Sequence, residues 1–397
     1  MSKTFKDPLF VHQWYLANTG QRGGASRLDI NVMSAWDKYT GKGVIVAVND
    51  DGMDLAHPSL AANLLTNLAF DSTRGTTGQG FERAANSHGT VVGSIVGMAG
   101  NDGIGGVGVA YEARIVPGLI IGQGTDAASL FLANLAAGAS VSVNSWGQDP
   151  AFAENFGATG SDADRAWIAA MIRGVTEARA GLGMVIEVSG GNERANQADT
   201  ALSNFTNNKI TITVGAVTES GAPTPYSTPG ASLLVTAPGG VASAAQGTNE
   251  GFGIPSADVQ GTAGYNPATG IEGDYAYQNQ GTSYSGPRVG GAAALMLQAN
   301  PRLGFRDVST ILAVTARKID AANPSWLNNG ASDWNLGGMH FATGKIEMLP
   351  FVFVDRRDLE AMKRLLAAGL ALHAQQVPGG REYSVGAQQL ADMEARL

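Results

Sequence analysis

From residue 43 to about residue 317 the chain alternates short apolar runs with stretches of helical spacing. GVIVAV (43–48) is rich in β-branched residues and bounded by glycine and acids, which predicts a buried strand. ARIVPGLII (113–121), VSVNSW (141–146), GMVIEVSGGN (183–192), ITITVGAV (210–217) and SLLVTAP (232–238) read the same way. GTVVGSIVGMAG (89–100) suits a buried helix that runs into a glycine-rich loop, NDGIGGVG. ADRAWIAAMIRGVTEARA (163–180) has the spacing of an amphipathic helix. Residues 284–299 and 304–317 read as two further helices, the second opened by Asn300-Pro301. Buried strands that alternate with helices require a parallel sheet covered on both faces, an α/β architecture. Its cleft is expected at the carboxyl ends of the strands.

The pattern changes near residue 345. RRDLEAMKRLLAAGLALHAQQ (356–376) predicts a helix, followed by a turn, a short extended piece and a second helix at 387–396. Two units are therefore expected: a main α/β domain over 1–345 and a C-terminal helical hairpin tail over 346–397. Docking or self-association is the candidate role of the tail.

Composition narrows the function classes. The chain has 397 residues, of which 44% are hydrophobic and 15% charged, enough apolar content for a large core. Fifty-four glycines without a three-residue period imply many tight turns. The net charge of −8 argues against nucleic acid and anionic membrane as main partners and is compatible with cation binding. With no cysteine there are neither disulfides nor thiolate metal sites. No apolar run approaches the roughly 18 residues of a membrane-spanning helix. MSKTFKDPLF carries no secretory signal, so the expectation is secretion without an N-terminal signal or, alternatively, a cytoplasmic location.

Three polar residues sit where such a fold exposes groups. Asp50 ends the first strand in VNDDGMD, His88 opens a helix in NSHGT, and Ser283 opens another in GTSYSGPRVGG. Singly, each has an ordinary structural reading: turn acid, core histidine, helix cap. Together they suit one reaction. A serine hydroxyl becomes nucleophilic when a base takes its proton, histidine is that base near neutral pH, and a carboxylate fixes the imidazole tautomer.

The order Asp, His, Ser in DDG, HGT and GTSxxxP resembles the subtilisin-like serine proteases. DPLFVHQWYLANTG (7–20), GGVGVAYEARI (105–115), NSWG (144–147) and ANPRLGFRDV (299–308) are similar to the kexin/furin-like branch, in its bacterial type. The resemblance implies a subtilisin-like fold and a serine endopeptidase acting on peptide or protein substrates. It makes Asp50 the orienting acid, His88 the general base and Ser283 the nucleophile. Asn192, in SGGN, becomes the side-chain donor to the oxyanion, a contribution of about 3–4 kcal/mol to the transition state. Ser145, Trp146 and Gly147 would pair with the substrate backbone, and Gly190 and Gly191 would form the opposite wall of the primary pocket. Asp51 would meet a basic substrate side chain beside the scissile residue.

The sequence also departs from that branch. Pro150, Ser203, Thr228 and Ala85 stand where its pocket carboxylates are expected, and removing countercharges disfavours burial of an arginine. Relaxed rather than strictly dibasic specificity is therefore expected. The resemblance also implies a structural calcium ion, held by Asp7, by Asp102 and by the carbonyls of Ala99, Ile104 and Gly106, all hard oxygens. Ser59 replaces one further expected aspartate. The alternative function is a non-catalytic peptide-binding or assembly protein on the same scaffold.

Overall fold

In the computed structural model the described residues are 4–23, 26–78, 87–147, 153–245, 247–248, 251–317, 319, 327–328 and 339–340. The expected tail helices at 356–376 and 387–396 lie outside them.

The elements run β1 (Ile45–Asp50), α1 (Pro58–Ala61), β2 (Phe70–Asp71), β3 (Thr76–Thr77), α2 (Ser87–Gly97), β4 (Arg114–Leu119), α3 (Ala127–Ala136) and β5 (Val141–Asn144). They continue with α4 (Asp162–Glu177), β6 (Val185–Ser189), β7 (Thr211–Val217), β8 (Leu233–Pro238), β9 (Ile254–Ala257), β10 (Tyr275–Asn279), α5 (Thr282–Ala299) and α6 (Phe305–Thr315). Eight strands form one sheet in the order β3-β2-β4-β1-β5-β6-β7-β8. Every pairing in it is parallel except β2 with β3. The order reverses at β1, with β4 on one side and β5 on the other. A crevice opens at such a switch point, beyond the carboxyl ends of the strands.

Side chains alternate across β1, so Val46 and Val48 enter one core and Ala47 the other. The first core takes Val91 and Ile95 from α2 and Val289 and Leu295 from α5. The second takes Phe131 from α3 and Trp167 and Met171 from α4. Every residue of α5 from Thr282 to Leu297 is buried, as expected of a helix that runs through the centre of a domain. The N-terminal segment packs into the same body. Trp14 Nε1 donates to Gly253 O at 3.1 Å and Tyr15 Oη to Pro255 O at 2.8 Å.

Three local features differ from expectation. The helix expected over 163–180 ends at Glu177, because Arg179 and Ala180 adopt left-handed backbone (φ 54° and 56°). Its start is fixed by Ser161, whose Oγ accepts from Asp164 N while Asp164 caps Ser161 N in return. The alanine-rich helix α3, capped by Asp126, and the antiparallel β9–β10 pair had no reading in the sequence pattern.

Candidate active site

β1 delivers Asp50 to the switch point, where it is fully buried. His88 is the second residue of α2, and its Nδ1 donates to Asp50 Oδ1 at 2.6 Å. The same oxygen accepts from Asp51 N at 2.8 Å. Asp50 Oδ2 is buried without a hydrogen-bond partner among the described residues. The HGT sequence is explained by space. A Cβ at Gly89 would lie 1.9 Å from Gly52 O and 2.9 Å from Asp50 Cβ, so only glycine lets α2 approach the end of β1 this closely. Burial lowers the pKa of His88, but the charge of Asp50, its hydrogen bond and then Asp51 outweigh burial, and the net direction is upward.

Asp51 is turned toward α2. Its Oδ1 accepts from Gly89 N at 2.8 Å and its Oδ2 from His88 N at 3.3 Å, which satisfies free N–H groups of the first helical turn. Burial and then the Asp50 charge push its pKa up to about 7.

The start of α5 places Ser283. Gly281 caps the helix in a backbone conformation (φ 148°) that disfavours side chains, so Ser283 lies inside the first turn and is not itself the cap. Pro287 follows four residues later. Having no N–H, it cannot bond the Ser283 carbonyl as the helix would require. That carbonyl accepts instead from Ser145 Oγ at 2.9 Å, and the Thr282 carbonyl accepts from Ser189 Oγ at 3.0 Å. The helix start is thereby tied to the ends of β5 and β6. Ser283 Oγ itself donates to Ser145 O over a long 3.4 Å, and no bond from it to His88 is found among the described residues. The two meet through the next residue: the Tyr284 ring lies 5.5 Å from the His88 ring, centroid to centroid.

Asn192 follows the glycine turn after β6. Its Oδ1 accepts from Thr282 N at 2.9 Å and from Thr282 Oγ1 at 3.2 Å. With the oxygen held by the helix start, the amide NH2 is the group left to donate. Beside Ser283 a cavity of about 190 Å³ is lined by Ser145, Trp146, Gly147, Gly190 and Gly191, with Glu193 and Thr228. Gly147 is exposed, whereas Trp146 is partly buried, stacked on Trp167 with ring centroids 5.4 Å apart. Trp146 is thus both a cavity wall and a core residue.

Two acids near this cavity were not singled out in the sequence. Glu193 accepts from Asn192 N at 2.6 Å and from Thr228 Oγ1 at 3.1 Å. Glu154 is buried, accepts from the Ser203 hydroxyl and from Phe205 N, and keeps Oε2 without a partner. Its adjacency to the SNF segment comes from tertiary folding and has no sequence signature. Pro150 and Ala85 lie outside the described residues.

The expected calcium residues converge on the loop after α2. Asp7 is buried, and its carboxylate accepts from Asn101 N at 2.7 Å, Asp102 N at 3.2 Å and Gly103 N at 3.3 Å. The carboxyl of Asp102 meets that of Asp7, accepts from Ile104 N at 3.0 Å, and has its pKa raised by burial and by Asp7. The two crowded carboxyls supply hard oxygens, the donor type that suits a calcium ion, although the Asp7 oxygens already accept from three loop N–H groups. No group of three or more acids, histidines or cysteines placed to hold a metal ion is found among the described residues, and the Ser59 hydroxyl is committed to Tyr275 Oη at 2.8 Å. No helix of the described residues is long and apolar enough to cross a membrane.

The model of the subtilase family, Peptidase_S8, matches residues 41–337. "PC3-like endoprotease variant B" of Hydra vulgaris is 29% identical over 385 residues, covering 94% of this chain and 50% of that protein. "Neuroendocrine convertase 2" of Drosophila melanogaster is 31% identical over 345 residues, covering 82% of this chain and 48% of that protein. The chain thus spans about half the length of these relatives. The crystal structure of a serine protease of Aeromonas sobria in complex with its chaperone superposes with a TM-score of 0.74 at 22% identity. That match covers 96% of this chain and 69% of the other, and it shows the shared fold.

Proposed function

The chain belongs to the subtilase family of serine proteases, with kexin-like convertases among its homologues, and from that premise we propose that it is an endopeptidase working through an acyl-enzyme. The observation that carries the reading is the 2.6 Å bond from His88 Nδ1 to the buried Asp50 carboxylate, beside the start of the helix that bears Ser283. With Nδ1–H committed to Asp50, the lone pair of His88 is on Nε2, the atom that takes the Ser283 proton. Ser283 Oγ attacks the scissile carbonyl after rotating away from its long contact with Ser145 O; catalytic hydrogen bonds commonly tighten only in the complex. Negative charge then develops on the carbonyl oxygen, and the Asn192 NH2 and the Ser283 N–H donate to it. His88 returns the proton to the leaving amine, and water repeats the sequence on the ester.

The primary pocket is the 190 Å³ cavity, whose walls mix Trp146, Leu202 and Phe205 with Glu193 and Asp199. Such a mixture supports relaxed rather than strictly dibasic specificity. In a peptide library, basic and apolar residues before the cut should be accepted within about a hundredfold of one another; an overwhelming preference for arginine there would overturn this reading. Asp7 and Asp102, with the carbonyls of Ala99, Ile104 and Gly106, are read as holding a structural calcium ion that neutralises the crowded pair.

Labelling with a fluorophosphonate tests the catalytic reading. The folded chain should be labelled and the Ser283→Ala variant should not. Folded, calcium-replete protein that resists labelling would favour a non-catalytic binding protein instead.

A further inference from the structure

The residue after Ser283 is a tyrosine, and its surroundings are built with care. Tyr284 is buried, packs its ring against His88 at 5.5 Å, and meets the hydroxyl of Tyr265 with its own. Tyr265 comes from the long connection between β9 and β10, residues 258–274, and remains 40% exposed. It is also close enough to Asp51 and Asp50 to feel their charges.

An exposed aromatic on an unsupported loop would be unremarkable, but this loop is held from within. Asp258, fully buried, accepts from Val259 N and from Asn266 N, both at 2.8 Å. Asn266 donates to Glu272 O and Tyr275 O, both at 2.7 Å. Asp54 accepts from Gln260 N at 3.1 Å, and Asp274 from Gly261 N at 2.8 Å. Tyr265 stands beside the anchored Asn266, and its hydroxyl lies against that of Tyr284. A large aromatic surface is therefore ordered before any substrate arrives, which reduces the entropy lost on binding.

We propose that Tyr265 is a specificity-determining residue, presenting its ring to the substrate side chain that lies across His88 and favouring a bulky apolar or aromatic group there. The placement follows from the chemistry. His88 must reach the leaving nitrogen, so the residues flanking the scissile bond pass over the imidazole; Tyr284 borders it, and Tyr265 stands next to Tyr284. The primary pocket is lined by Trp146, Gly190 and Glu193 and includes neither tyrosine, so this contact is separate from it. Asp51, by contrast, spends both oxygens on α2, which weakens its claim to be the recognition group on this side.

The proposal rests on the endopeptidase reading, and its test separates the two. Peptides with a fixed residue in the primary pocket carry Gly, Leu, Phe, Lys or Glu at each position flanking the bond in turn. They are compared on the wild type, Tyr265→Ala, Tyr265→Phe and Tyr284→Phe. Fluorophosphonate labelling is measured in parallel; a wild type that resists it sinks the endopeptidase reading rather than this one. Tyr265→Ala should lower kcat/KM about tenfold for Leu and Phe peptides and leave Gly peptides within about twofold. Tyr265→Phe keeps the ring but loses the hydroxyl contact with Tyr284, so it should weaken the preference by a few-fold without abolishing it. Tyr284→Phe frees the tip of that ring and should weaken the preference by a few-fold. An equal loss across all peptides for Tyr265→Ala, or no loss, would overturn the proposal, as would a Tyr265→Phe variant that behaves like Tyr265→Ala.

Discussion

At the residue scale the pairing of His88 with Asp50 governs pH dependence. The imidazole must be unprotonated to act as base, and Asp50 holds its pKa above the ordinary value near 6.5 against the opposing effect of burial. Activity should therefore fall as pH drops, with the midpoint of the acid limb of kcat/KM above 6.5. In Asp50→Asn the raising contribution is gone and burial remains, so the limb should move to lower pH while the rate falls by about 10³–10⁴-fold. A pH–rate profile of both proteins checks this; an acid limb unmoved by the substitution would mean that another group sets it. The residues of this pair were legible in the sequence because DDG and HGT couple the reactive group to its geometric requirement, as Gly89 illustrates. Glu154, Glu193 and Tyr265 were not legible. Glu154 and Tyr265 reach the cleft through contacts between segments far apart in the chain, and Glu193, although it follows Asn192, takes its place against Thr228 only in the fold; none carries a local pattern.

At the element scale α5 depends on how closely it can lie against the sheet. Gly286 faces Glu187 of β6, a fully buried acid whose pKa burial raises well above the usual range. A Cβ at Gly286 would fall 2.1 Å from Glu187 Oε1 and 2.5 Å from Ser189 Oγ. Gly286→Ala should push the start of α5 away from the sheet. It should destabilise the fold by about 1–3 kcal/mol and lower kcat more than it changes KM, since Ser283 lies one turn earlier. Denaturant unfolding and steady-state kinetics measure both effects, and a variant with wild-type values in each would refute the packing argument. The strands of this sheet were legible because burial on both faces writes itself as β-branched runs. The helix α3 was not, because its alanine-rich stretch AASLFLANLAA has weak apolar contrast, and its own Leu130 and Phe131 are buried only once the sheet exists. The β9–β10 pair was not legible for another reason: its connection carries the buried polar Asp258 and Asn266, and β10 carries Gln278, so the segment reads as a solvated loop.

At the scale of the whole molecule, the N-terminal segment is joined to the loop after α2 through Asp7. Its carboxylate gathers three loop N–H groups, and Leu9 N donates to Gly105 O at 2.8 Å. A calcium ion at Asp7 and Asp102 would bind the folded chain and not the unfolded one. Free ion at a hundred times its dissociation constant would then add about 2.7 kcal/mol of stability. Thermal unfolding should shift down by several degrees when a chelator is added and recover with excess calcium, and Asp102→Asn should blunt the response. A melting temperature indifferent to both would remove the ion from the account. The sheet order was beyond the reach of the sequence, since nothing local specifies which parallel neighbour each strand takes. Yet the alternation of elements predicted where a cleft would lie, and Asp50 does end β1 at the point of reversal.

The central claim is that Ser283 is a nucleophile activated by His88. Intact-mass analysis after fluorophosphonate treatment addresses it most directly, with the modified peptide then located. The account predicts one adduct per folded chain, on Ser283, formed much more slowly in His88→Ala and absent in Ser283→Ala. A folded wild-type chain that gains no mass, or gains it at another residue, would contradict it.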